Sequence, residues 1–236
     1  MNLRRKYKGF SLTEVLMAVG TLAIGMTFVG GTFLVAVHLS TVATEKTIAA
    51  VVADEAFAKI QLYGIDSSST SLAANQQVPF TTLNTIPIEE YAYPSTKIIS
   101  DKQYYWSAIC RPVSQHIIQV TVFISRKIGN LSYPGGSAIP MPIEVPVTSI
   151  AGIGNENKLT INSADQQSFI NNGSVIVSNQ TGRLYRVLQR DAISPNIITL
   201  DSPWLESSND SVWIIPPSIG GSKYPCIAIY QKEIRF

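Results

Sequence analysis

The chain has 236 residues, 45% of them hydrophobic and only 14% charged, with a formal net charge of +2. That length allows one or two domains with an ample core. The charge excludes a basic nucleic-acid surface. Four of the 18 Lys/Arg (Arg4, Arg5, Lys6, Lys8) lie in the first eight residues, so 14 remain against 16 acidic residues, a balance of −2. No cluster of Lys/Arg interleaved with aromatics occurs, and no nucleic-acid contact is expected.

No charged residue occurs from Val15 to Val37, a run of 23 residues. As a helix this run spans roughly 34 Å, enough for a bilayer core of about 30 Å. Basic residues just before it predict a cytoplasmic N-terminus, with the remainder carried across. A secretory signal peptide has a shorter apolar region followed by a small-x-small cleavage site. An ordinary single-pass anchor fits the length. It accounts neither for Glu14, a carboxylate one residue from the run that is costly in lipid, nor for the sharp switch at Lys8-Gly9-Phe10.

The stretch Lys8-Gly9-Phe10-Ser11-Leu12-Thr13-Glu14-Val15-Leu16 resembles the prepilin leader motif of type IV pilins and type II secretion pseudopilins. Basic leader, Gly, Phe, Glu and apolar run all match together, and Glu14 is the fifth residue counted from Phe10. The continuation Ala18–Met26 is similar to minor pilins and minor pseudopilins. The resemblance implies cleavage between Gly9 and Phe10 by a prepilin peptidase, N-methylation of Phe10, and subunit assembly through Glu14. The implied partners are that peptidase/methyltransferase, other pilins or pseudopilins, and the inner membrane before assembly. The resemblance further implies that, within a filament, each Glu14 carboxylate meets the α-amino group of a neighbour's Phe10; a charge that is expensive alone is tolerated when paired. The competing reading of Glu14 is an interfacial residue that snorkels to headgroups.

The helix is expected to continue past Val37, since no proline occurs between Met1 and Gln77. Val42, Ala49, Ala53, Ala56, Ile60 and Tyr63 recur on one helical face, Glu55 precedes Lys59 by four, and Gly64 stands where a C-terminal cap belongs. Gly20, Gly25, Gly30 and Gly31 weaken the first half or allow close helix packing. The expected organisation is a leader 1–9, a long helix 10–64 (10–38 transmembrane or filament core), a pilin-like β head 65–145, and a β-rich module or head extension 146–236. The fold class is α+β: a long N-terminal pilin helix, transmembrane in its first half, with an antiparallel β-rich head.

A Ser-rich joint, Asp66–Ser71, leads into the head. Tyr104–Ile109 and His116–Ile124 read as strands, the second β-branched with alternation in its later part. Pro134-Gly135-Gly136, Pro140, Pro142 and Pro146 break the chain. Beyond them, Lys158–Ile161, Ser174–Ser178, Leu184–Gln189, Asn196–Leu200, Val212–Ile215 and Ile227–Ile234 read as strands of a small barrel or sandwich, with turns at Asn172-Gly173 and Thr181-Gly182.

Catalytic signatures are absent from the sequence: no HExxH, GxSxG or phosphate loop occurs. His38 reads as interfacial and His116 has no companion. Cys110 and Cys226 are either a disulfide, worth roughly 4–5 kcal/mol in the chain-entropy model, or two buried free thiols. No cofactor or metal is expected. Asp201, Glu206 and Asp210 around Trp204 offer oxygen ligands for calcium, but their spacing matches no EF-hand loop, and a solvated loop is the default. Trp204, Trp213 and Tyr224 read as an exposed binding patch or as core under loops.

Overall fold

A computed structural model describes residues 9–65, 72, 76–94, 103–114, 116–127, 132–152, 154–220 and 224–236. The basic leader residues through Lys8 and the Ser-rich joint Asp66–Ser71 lie outside the described residues. The chain divides into two units, residues 1–47 and 48–236. One helix, α1 (Leu12–Tyr63, 52 residues), is followed by a β-rich domain.

In the first unit, α1 is exposed along almost its whole surface, with Phe28, Val29, Phe33 and Leu34 each at least 66% exposed. The threonine hydroxyls from Thr21 to Thr47 are satisfied inside the helix. Thr21, Thr27, Thr32 and Thr41 each donate to the carbonyl four residues back, at 2.9–3.1 Å. Such bonds let polar side chains sit on an apolar helix without seeking water. The helix is long and apolar enough to cross a membrane.

In the second unit, the end of α1 buries Ala49, Val52, Ala53, Ala56, Phe57 and Ile60. Ala49, Ala53, Ala56 and Ile60 belong to the face expected from periodicity. Val42 is only partly covered and Tyr63 is exposed, while Val52 and Phe57 complete the stripe. Gly64 ends the helix at φ 72°, its N–H donating to the Ile60 carbonyl at 3.0 Å. Only glycine takes that backbone region freely, so the cap matches its sequence signal.

An antiparallel sheet lies against this helix segment. β3 (Tyr104–Ser114) pairs with β4 (Ile117–Arg126), and β4 with β11 (Cys226–Arg235). The short β1 (Val78–Pro79) and β2 (Ala92–Tyr93) pair with β3. Trp106, Ala108, Cys110, Ile118, Val120, Val122 and Ile124 share one core with the helix residues. Ile109 and Phe123 instead pack with Val177, Trp213 and Ile215 of the second module. β4 is therefore covered on both faces, which is why its sequence reads as a nearly continuous apolar run rather than strict alternation.

The second module is a closed six-stranded barrel in the order β10-β5-β6-β9-β8-β7. Its strands are β5 (Ile143–Ser149), β6 (Lys158–Ile161), β7 (Val175–Ser178), β8 (Leu184–Arg190), β9 (Ile197–Leu200) and β10 (Asn209–Ile214). Alternate residues fill it: Val145 and Val147, Leu159 and Ile161, Tyr185 and Val187, Ile198 and Leu200, Val212 and Ile214. A barrel this small is filled by its own side chains.

The structure differs from the expected organisation at two points. The barrel begins at Ile143, inside a segment whose prolines read as a break. Pro146 is tolerated because its carbonyl accepts from Asn162 beyond the end of β6. The nitrogen of a strand residue points to the same side as its carbonyl, so no bond to β10 is lost. The last strand, expected in the 146–236 module, returns to pair with β4 in the first sheet. The barrel is thus an insertion between β4 and β11, not a C-terminal appendage.

A compact polar joint fixes barrel to sheet. Gly182, at φ 73°, stands where an added Cβ would lie 2.6 Å from side-chain atoms of both Gln119 and Gln77. Arg111 donates to Gln119 Oε1 (3.2 Å) and to the Gln180 carbonyl (3.1 Å). The Trp213 indole N–H donates to Asn179 Oδ1 at 2.9 Å.

Candidate functional site

The residues singled out at the N-terminus sit at the start of α1. Ser11 precedes the first helical residue. Its Oγ accepts from the Glu14 N–H at 3.2 Å, and its carbonyl from Glu14 and Val15 N–H at 3.0 and 3.2 Å. Ser11-Leu12-Thr13-Glu14 is a Ser-x-x-Glu helix start, a signal present in the sequence but not read there. It puts the Glu14 carboxylate in the first turn, where the helix dipole favours negative charge. Phe10 is 82% exposed just ahead of the cap, and Gly9 has open space around it. Gly9, Phe10 and Glu14 are thus accessible and contiguous with the apolar helix surface.

His38 is exposed on α1, and His116 is exposed with its carbonyl accepting from the Phe236 N–H at 3.0 Å. Among the described residues, neither belongs to a group of three or more His, Cys, Asp or Glu placed to hold a metal ion.

Cys110 and Cys226 are free thiols, which corrects the disulfide reading. Cys110 stands opposite Val120 on one side of β4, and Cys226 opposite Ser125 on the other. Two strand spacings and five residues of offset separate them by roughly 19 Å, against under 7 Å for a bridge. They also face different cores, Cys110 toward the helix and Cys226 toward the barrel. Burial pushes both thiols up, Cys226 to about 12, so neither is a ready nucleophile.

The calcium reading of Asp201, Glu206 and Asp210 finds no ligand cluster. Among the described residues, no group of three or more His, Cys, Asp or Glu is placed to hold a metal ion. Asp201 accepts from the Arg186 N–H (3.1 Å), and Glu206 from Thr181 Oγ1 (2.6 Å) and the Tyr185 hydroxyl (3.2 Å). Asp210 is half-buried, and desolvation raises its carboxyl above the ordinary value. Nearby Glu206 and Glu144 add to that, while the Ser211 N–H and Ser178 hydroxyl oppose it.

The aromatic residues also separate. Trp204 stacks on Tyr185 at 4.9 Å inside the barrel, and Trp213 seals the joint with the sheet. Both are core. Tyr224 remains half-buried, its hydroxyl donating to the Val175 carbonyl at 3.3 Å.

Set against protein-family models, curated proteins and solved structures, the chain matches none of them.

Proposed function

We propose that the chain is a minor pilin or pseudopilin: a structural subunit rather than an enzyme, cut after Gly9, N-methylated on Phe10, and assembled with other pilins into or at the tip of a filament. The observation that carries this reading is the placement of the Gly9-Phe10…Glu14 motif at the start of a single 52-residue helix. Its first part presents apolar surface to its surroundings, and its last turns are buried against an antiparallel sheet. Before assembly the helix holds the precursor in the inner membrane, head outside. Leader removal frees the Phe10 amino group, which pairs with Glu14 of a neighbouring subunit in the filament core. The bulk of the sheet-plus-barrel head favours a minor, tip-located subunit, since large heads pack poorly in long filaments.

Intact mass and N-terminal peptide mapping of protein from native membranes or sheared filaments test the processing step. The expected chain starts at N-methylated Phe10. A chain retaining the leader through Gly9 in a host with active prepilin peptidase overturns the reading.

A second reading is favoured by one observation. The Ser11 cap and the first-turn position account for Glu14 without any neighbour. The chain is then a membrane-anchored β-rich binding domain that enters no filament. Glu14→Gln keeps the cap, whose donor is a backbone N–H, and removes the charge. The pilin reading expects at least a roughly tenfold loss of incorporation into sedimentable filaments, in keeping with the cost of orphaning one member of a buried pair. An anchored domain is indifferent to it.

A further inference from the structure

A pocket of about 640 Å³ opens where the barrel segment Ser168–Asn172 faces Pro134 and Pro217–Gly220, with Tyr224 completing the wall. Its volume lies within the range of about 300–1,000 Å³ common to small-ligand sites. No Asp, Glu, Lys, Arg or His lines it among the described residues, so none of these offers a counter-charge to an anion or a cation.

Its polar groups are held but not used up. The Asn172 Oδ1 accepts from the Arg190 N–H at 2.9 Å, which orients the amide and leaves its Nδ2 hydrogens. The Asn171 Nδ2 donates to the Ser168 carbonyl at 3.2 Å, leaving its Oδ1 as an acceptor. The Ser218 hydroxyl, in a residue only 2% exposed, lies in the wall without a hydrogen-bond partner. Beside these groups stand two half-buried rings, Phe169 and Tyr224, the latter fixed through its hydroxyl. A purely apolar ligand would leave the amides unpaired, at a cost of about 1–3 kcal/mol each.

We propose that this pocket binds an uncharged saccharide, whose hydroxyls meet the Asn and Ser groups and whose C–H faces lie on the aromatic rings. The inference concerns the head alone and does not rest on filament assembly.

The test uses the full chain in micelles of lauryldimethylamine oxide, since a detergent with a sugar headgroup would compete. N,N′,N″-Triacetylchitotriose and maltotriose are titrated by calorimetry and saturation-transfer NMR, with trigalacturonate and an uncharged Gly/Ser/Asn hexapeptide as comparisons. At least one neutral trisaccharide is expected to bind with Kd on the order of 1 mM or tighter. Ile219, 58% exposed in the lining, donates its backbone N–H to the Ser132 carbonyl at 2.9 Å. Ile219→Trp keeps that bond and fills the mouth, and should weaken binding at least tenfold without lowering the melting temperature. Should that variant fold poorly, the exposed Asn171→Ala is expected to weaken binding by about three- to tenfold. The proposal is overturned if neither trisaccharide binds, if the folded Ile219→Trp variant or Asn171→Ala leaves the affinity unchanged, or if trigalacturonate or the peptide binds in their place.

Discussion

The two parts of α1 meet different surroundings within one continuous helix. From Leu12 to Thr47 no residue is buried, and the large side chains Leu22, Phe28, Phe33 and Leu34 are all exposed. From Ile48 to Tyr63 the buried residues form one stripe, mostly small: Ala49, Val52, Ala53 and Ala56, with Phe57 and Ile60. A helix apolar on every side is soluble only in lipid or among other helices, whereas a one-sided stripe specifies a packing partner in its own chain. Small residues in that stripe let the helix backbone approach the sheet closely. The stripe's polar flank is anchored as well: Lys59 reaches Glu55 at 3.0 Å, Glu90 at 2.9 Å, and the Glu90 carbonyl at 2.8 Å.

The sharpest test of this contrast is paired truncation. Ile60→Ala should lower the unfolding free energy of the head by about 2–5 kcal/mol, the usual cost of a buried large-to-small change. Leu34→Ala should leave it within roughly 0.5 kcal/mol. Denaturant titration followed by Trp fluorescence reads both. Equal effects would mean that the exposed part also packs on the head.

Enlargement gives a smaller effect of the same kind. Ala53→Leu should cost about 1–3 kcal/mol by forcing the helix off the sheet, while Ala36→Leu leaves head unfolding unchanged. If Ala53→Leu proved silent, the close approach at that position would be wrong.

The smallest expected effect concerns charge. The stretch Val15–Val37 of α1 carries none, yet the head keeps the half-buried Asp210, with one carboxylate oxygen that is buried and unpartnered. Its folded-state pKa is raised, so its contribution to stability is fully present below the unfolded value of about 3.9 and is lost as pH rises through the folded value. Asp210→Asn should therefore raise the melting temperature near pH 7, with the gain shrinking toward pH 4. A gain independent of pH would assign the effect to packing instead.

Local signals were legible wherever one rule acted alone. Lys158–Ile161 alternates and is β6; Gly64 has the one side chain suited to its φ, and it caps α1. The N-terminal motif was likewise visible as a motif, and its Ser-x-x-Glu cap was there to be read. Illegible were the features in which two distant segments decide together. Pro146 of β5 looked like a breaker because only the register with β6 and β10 shows that it costs no bond to β10. Phe169, Asn171 and Tyr224 gave no sign of a shared pocket, because turns far apart in the chain build it.

The sequence by itself determined the long apolar helix, its start and its end, and most of the strands, because periodicity, capping and backbone conformation are properties of neighbouring residues. Only the tertiary structure decided that β11 returns to the first sheet, so that the barrel is an insertion and the two cysteines lie on opposite faces roughly 19 Å apart. Strand pairing across a hundred residues leaves no local trace: an apolar, β-branched run can pair with any similar run, and burial of both faces of β4 is what selects one partner.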